Sequence, residues 1–169
     1  GIVPTGNGSY HPSGLIDNCQ FHNCRIVVDG QANSQYLLWD SLSAIGTWDA
    51  VYIEDSKFKR NVFGNAIDGN RASRTVFRYN IVNDTHIEAH SCQGDHRGTR
   101  SWEIYRNNIN QVDEVVAVPI FIRAGTGVIF NNTIRGSYNY EKIKIDNVRS
   151  FWYRIVPQRC NGNSSWDGN

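Results

Sequence analysis

Residues 102–109 read WEIYRNNI, and the same eight-residue pattern stands at four other places without a gap. These are Gly14 to Phe21 (GLIDNCQF), Val51 to Phe58 (VYIEDSKF), Thr75 to Val82 (TVFRYNIV) and Gly127 to Ile134 (GVIFNNTI). Successive starts are 37, 24, 27 and 25 residues apart. One strand-like motif per 20–30 residues is the signature of a stacked solenoid, in which each repeat buries its apolar face on its neighbours. No apolar stripe of helical period and length competes with it.

The columns of this alignment have physical content. The third holds Ile16, Ile53, Phe77, Ile104 and Ile129, and the eighth holds Phe21, Phe58, Val82, Ile109 and Ile134. Both are apolar throughout and are expected to face inward. The fourth holds Asp17, Glu54, Arg78, Tyr105 and Phe130 and is expected to face out. The sixth holds Cys19, Ser56, Asn80, Asn107 and Asn132. Small polar residues between two inward columns mark a bend, where asparagine tolerates left-handed backbone and can bond from coil to coil. A second strand is expected in each repeat, at IVVDG (26–30), AIDG (66–69), HIEAH (86–90), IFIRA (120–124) and IKIDN (143–147). Val28, Ile67, Ile87, Ile122 and Ile145 then face inward, with Asp29, Asp68, Glu88, Arg123 and Asp146 as an external column. The reading is all-β: a right-handed parallel β-helix of about five to six coils, one domain over residues 1–169. The long first interval places a loop excursion at 31–48, and residues 150–169 read as an irregular C-terminal tail.

Composition limits the functions available. Lys+Arg 17 against Asp+Glu 16 gives a net charge of +1, and the two halves of the chain are nearly balanced. No basic face or tail points to nucleic acid. No apolar run approaches the ~18 residues of a membrane span. Methionine is absent even at position 1, as expected of a segment of a longer chain. The four cysteines allow three pairings and lack the spacing of a zinc or redox site, so no metal is expected from them. Their even number leans toward an oxidising compartment.

The pattern Φ-x-Φ-x-x-N-x-Φ resembles the coil signature of the pectin-lyase-like right-handed β-helix superfamily, over nearly the whole chain. The stretches at 86–90, 97–109, 123–134 and 159–169 are similar to a group of bacterial β-helix proteins that continue past Trp-Asp-Gly-Asn with a further cysteine. That resemblance implies a partner for Cys160 beyond Asn169. It also implies an extracellular or cell-surface protein that engages polysaccharide. Two motifs of the enzymes are missing. The Trp-Ile-Asp-His motif of pectate lyases finds only Leu15-Ile16-Asp17-Asn18, and no Arg-x-Pro-x-x-Arg surrounds Pro119. The adjacent Asp-Asp pairs of polygalacturonases are also absent.

Chemistry-bearing residues concentrate on HIEAH. On a strand His86, Glu88 and His90 project from one face, with Asp68 expected one coil below Glu88 and Arg123 one coil above. Asp68, Glu88, His90 and Arg123 are the candidate catalytic set: carboxylates to move a proton or cleave a glycosidic bond, and an arginine to neutralise a uronate. The bland alternative is a ladder of surface ion pairs. His86, His96, Arg97, Arg100 and Tyr105 are candidate substrate contacts, the middle three on a loop expected to fold over the Glu88 face. His86 and His90 stand too far apart on a strand for one metal ion. No cofactor is expected. Asp17, Glu54 and Asp55 could offer oxygens to calcium, but without the spacing of a calcium loop. Three functions stay open: carbohydrate engagement, a lyase or hydrolase of acidic polysaccharide, and a structural or adhesive rod. A homo-oligomer or filament joined through the ends of the stack is a further expectation.

Overall fold

In a computed structural model of the chain, residues 12–30, 45–59, 64–90, 98–113, 116 and 118–145 are described. Each coil carries three short strands, not two. The eight-residue motif breaks at its bend into one strand over columns one to four and another over columns seven to nine. The first sheet stacks β1 (Gly14–Asp17), β4 (Val51–Glu54), β7 (Arg74–Arg78), β10 (Ser101–Tyr105) and β13 (Thr126–Phe130). The second stacks β2 (Gln20–His22), β5 (Lys57–Lys59), β8 (Ile81–Asn83), β11 (Asn108–Asn110) and β14 (Thr133–Arg135). The third stacks β3 (Ile26–Asp29), β6 (Asn65–Asn70), β9 (His86–Ala89), β12 (Ile120–Ile122) and β15 (Ile143–Ile145). All pairings are parallel, so the chain is a parallel β-helix of five coils. It contains no helix among the described residues, and none long and apolar enough to cross a membrane.

The registers of the first two sheets follow the sequence columns. Ile16, Ile53, Phe77, Ile104 and Ile129 are successive partners, as are Phe21, Phe58, Val82, Ile109 and Ile134. The middle members of both columns are buried, and the end members Ile16, Ile129 and Ile134 pack against the core from its margins. Trp102 is buried, and its indole N–H donates to the Ala124 carbonyl. Its ring rises into the next coil, where Gly127 is its partner. A Cβ at Gly127 would collide with the Trp102 carbonyl oxygen and come 2.5 Å from that ring, so backbone and ring together admit only glycine there.

The bend is a hydrogen-bonded ladder. The backbone N–H of Cys19 donates to Ser56 Oγ, that of Ser56 to Asn80 Oδ1, that of Asn80 to Asn107 Oδ1 and that of Asn107 to Asn132 Oδ1, each at 3.0 Å. The left-handed backbone lies one residue earlier than expected. Column five, not six, takes positive φ: Asn18, Asp55, Tyr79, Arg106 and Asn131, between 51° and 58°. The column-six side chain must point inward to make the ladder, so the turn of the backbone falls on the residue before it.

The start of the excursion at 31–48 lies outside the described residues. Its end, residues 45–48, and the two residues that follow cross the outer face of the first sheet. There the Gly46 N–H donates to Glu103 at 2.7 Å, Tyr52 Oη donates to the Thr47 carbonyl and Arg74 pairs with Asp49. Residues 150–169, with Cys160, and also Cys92 lie outside the described residues. Neither Cys19 nor Cys24 forms a disulfide.

Candidate functional site

Burial alternates along β9. Ile87 and Ala89 are buried, whereas His86, Glu88 and His90 are half-buried on the outer face of the third sheet. Asp68 on β6 is the register partner of Glu88, as the sequence implied. The outer strands of this sheet are shifted by two residues from the expected alignment. Glu88 faces Phe121 rather than Arg123, and Asp29 faces Asn70 rather than Asp68. The inward column is Ile26, Ile67, Ile87, Ile120 and Ile143. A two-residue slip leaves every apolar side chain inside, so alternation alone does not choose between the two alignments. Asp146 lies outside the described residues.

Even so, the charged side chains converge. Arg123, two residues past Phe121, reaches diagonally to Glu88 Oε1. Glu88 Oε2 accepts from Asn65 Nδ2 at 3.0 Å and lies 3.5 Å from His86 Nε2. Asp68 pairs with His90 Nδ1 at 2.9 Å and with Arg25 Nη1 at 3.5 Å. Arg25 also donates to Asn65 Oδ1, which joins the two halves of the network. Burial pushes the Glu88 carboxyl up, but the hydrogen bond to His86 and the charges of Arg123, His90 and His86 outweigh it. The result is a pKa of about 2. A carboxylate so stabilised is a weak base at neutral pH.

One ligand atom from each of Asp68, Glu88 and His90 lies within 4.8 Å of the others, as do those of Asp17, Glu54 and Asp55. In the first cluster Arg25 and Arg123 offset the two acids, whereas in the second Arg78 offsets Glu54 alone of the three.

Beside Glu88 the same face opens into a cavity of about 240 Å³ lined by His86, Val118, Phe121, Tyr140 and Lys144. Phe121 lines it, with the Arg123 guanidinium and Lys144 Nζ over its ring, 5.3 Å and 5.4 Å from the centroid. Tyr140 is 68% exposed. Sequence reasoning missed Phe121, Tyr140 and Lys144. With the two-residue shift, Phe121 and Lys144 fall in the outward column with Asp68 and Glu88, and an aromatic residue at an outward position was the available signal.

The remaining candidates disperse. Tyr105 lies on the outer face of the first sheet, stacked on Phe130, and not with Glu88. His96 and Arg97 lie outside the described residues. At the end of their loop the Gly98 carbonyl accepts from Ala72 N–H and the Arg100 N–H donates to the Ser73 carbonyl. Residues 98–100 are thus strapped to the turn at 71–73, and the Thr99 N–H also donates to the His90 carbonyl at 2.9 Å.

No family model, curated protein or solved structure matches the chain.

Proposed function

We propose that the protein is an extracellular β-helix that engages carbohydrate through the outer face of its third sheet, without general-base chemistry at Glu88. The cavity beside Glu88 carries this reading. Two aromatic side chains, Phe121 and the exposed Tyr140, line it together with Lys144 and His86. An aromatic face takes up the apolar side of a sugar ring while the polar groups bond its oxygens. At about 240 Å³ it is below the ~300–1,000 Å³ of pockets for larger ligands, a size suited to one ring. The resemblance of the coil signature to pectin-lyase-like proteins supports the same class of ligand and the extracellular setting.

The second reading, a polysaccharide lyase or hydrolase, has one observation in its favour: the carboxylates of Asp68 and Glu88 lie side by side. Their pairing with arginine and histidine weighs against it. A rod is favoured at the ends of the stack, where Leu15, Ile143 and Ile145 expose apolar side chains. A glycan array, then titration calorimetry on its hits, tests the reading. The parent should bind, Phe121→Ala and Lys144→Ala should weaken binding with the fold retained, and acidic polysaccharides should yield no unsaturated product by absorbance. Unchanged affinity in both variants would remove the cavity from the function, and unsaturated product would restore the lyase.

A further inference from the structure

The two ends of the stack differ. In the first coil the inward side chains Phe21, Ile26 and Val28 are buried. In the last coil they are open. Ile129, Ile134, Ile143 and Ile145 are the register partners of Ile104, Ile109, Ile120 and Ile122, none of which is more than 2% exposed. Ile129 and Ile134 are only partly buried, Ile143 is 41% exposed and Ile145 is 69% exposed. All three sheets thus present inward isoleucines to solvent where a further coil would lie. The backbone is open there as well. At the bend, the N–H groups of Asn18, Tyr79 and Arg106 donate to the carbonyls of Glu54, Tyr105 and Phe130 one coil on. Asn131 holds the same position in the last coil, and its N–H meets no such carbonyl among the described residues. Alternation along β13 points the Ile129 N–H the same way. Apolar surface and an unpaired strand edge together call for a cover at the end of a solenoid.

The sequence places a suitable strand at the right distance. Residues 150–154 read SFWYR. Phe151 follows Gly127 by 24 residues, the interval that separates Val51 from Thr75. In that register Phe151 and Tyr153 continue the inward positions over Gly127 and Ile129. Arg154 continues the outward column over the exposed Phe130, as Arg78 lies over the Tyr105 ring. The next three residues cannot complete a coil. Ile155 falls at the bend, where the backbone is left-handed and a β-branched side chain is strained. Val156 falls in the ladder column, with no polar atom to accept from the Asn132 N–H. Pro157 falls where Lys57, Ile81, Asn108 and Thr133 donate N–H groups to the coil before, and proline has none to give.

We propose that residues 150–154 cover the C-terminal end of the stack as one added strand on β13, and that the stack stops there. Phe151 and Tyr153 close over the open isoleucines, and the Arg154 carbonyl accepts from the Asn131 N–H. A second copy fits the end less well. Stacked head to tail, it would bring up its first coil, whose Phe21, Ile26 and Val28 are already buried. The inference is independent of the third-sheet cavity, and it withdraws the C-terminal end from any end-to-end rod.

The experiment follows amide hydrogen exchange at Ile129 and Asn131 in the full chain, over a range of protein concentrations. Both amides should exchange about a hundredfold or more below the free-peptide rate, to the same extent at every concentration. Tyr153→Asp should release both, whereas Gln158→Asp, beyond the strand, should leave them protected. Tyr153→Ala serves in its place where the aspartate variant does not fold. Free exchange in the parent overturns the proposal without recourse to any variant. Protection retained in the folded Tyr153 variants overturns it as well. Protection that rises with concentration, together with a dimer in sedimentation, assigns the end to a second copy and overturns it too.

Discussion

Replacing Asn107 by alanine should be among the most damaging single changes to this protein. The side chain is 2% exposed and makes four hydrogen bonds. Oδ1 accepts from the backbone N–H of Asn80 at 3.0 Å and from Asn80 Nδ2 at 3.2 Å. Nδ2 donates to the Phe77 carbonyl at 2.8 Å and to Asn132 Oδ1 at 2.9 Å. Two of the four partners keep a second bond: Asn80 Nδ2 still donates to the Ile53 carbonyl, and Asn132 Oδ1 still accepts from the Asn107 N–H. The buried Asn80 N–H loses the partner that satisfied it, and the Phe77 carbonyl, within the β7–β10 ladder, loses one bond. At ~1–3 kcal/mol for the group so deprived and ~1 kcal/mol for the further bond, Asn107→Ala should cost about 3 kcal/mol. The structure supplies its own control. Ser56 occupies the same column, where Oγ accepts from the Cys19 N–H at 3.0 Å and donates to the Glu54 carbonyl at 2.9 Å. Asn107→Ser can therefore satisfy the Asn80 N–H and should cost about half as much. Urea denaturation gives the two free energies, and amide exchange at Asn80 reports the bond directly. Equal losses in the two variants, or a loss below about 0.5 kcal/mol in Asn107→Ala, would refute the ladder as a source of stability.

Ile104, 2% exposed in the third column, should lose ~2–5 kcal/mol on truncation to alanine. Ile129, only partly buried at the end of the same column, should lose less, by the same denaturation assay. Glu88 should make the fold acid-sensitive. Its carboxyl is lowered from 4.5 to about 2, so its contribution is complete above pH 4.5 and is lost as pH falls toward 2. The difference corresponds to about 3 kcal/mol. Stability measured from pH 6 to pH 2 should fall more steeply in the parent than in Glu88→Gln, and parallel curves would contradict the pairing.

The fold was legible because its information is repeated five times. Gapless recurrence placed Ile104 over Phe77 and Asn107 over Asn80, and every register in the first two sheets followed from it. Three features were not legible. The eight-residue motif hides a break between strands, because an inward asparagine and an inward isoleucine differ only in what they bond to. Left-handed backbone was assigned to the asparagine column, although the residue before it turns; Tyr79 and Arg106 carry no sequence mark of such a conformation. The third sheet slipped by two residues because aligning Asp29, Asp68, Glu88 and Arg123 gave a tidy charged column. The packing instead aligns Ile26, Ile67, Ile87, Ile120 and Ile143, and the bulge between Asn65 and Ile67 interrupts the pattern where it would have been diagnostic. The slip concealed the cavity, since it removed Phe121 from the side of Glu88.

The Glu88 network bears on function by what it fixes in place. A general base works best with a proton affinity near the operating pH, whereas Arg123, His86 and His90 hold Glu88 far below it. These pairs are also more than exposed ladders worth ~0–1 kcal/mol. The Asp68 and Glu88 side chains are 6% and 10% exposed, and removing one partner would leave a buried charge uncompensated. Glu88→Gln is therefore not a silent probe of activity, as a change to a solvated outward residue would be. Arg123 bonds Glu88 with its guanidinium and lies over Phe121 with the same group. Through it the chain Asp68–Arg25–Asn65–Glu88–Arg123 ends on Phe121 in the lining of the cavity. A lining held by a buried network would lose little freedom on binding, and a small ordering cost leaves more of the contact energy as affinity. On the proposed reading, the residues that most resemble a catalytic set would support a binding platform, and the aromatic lining beside them would be the surface to meet a ligand.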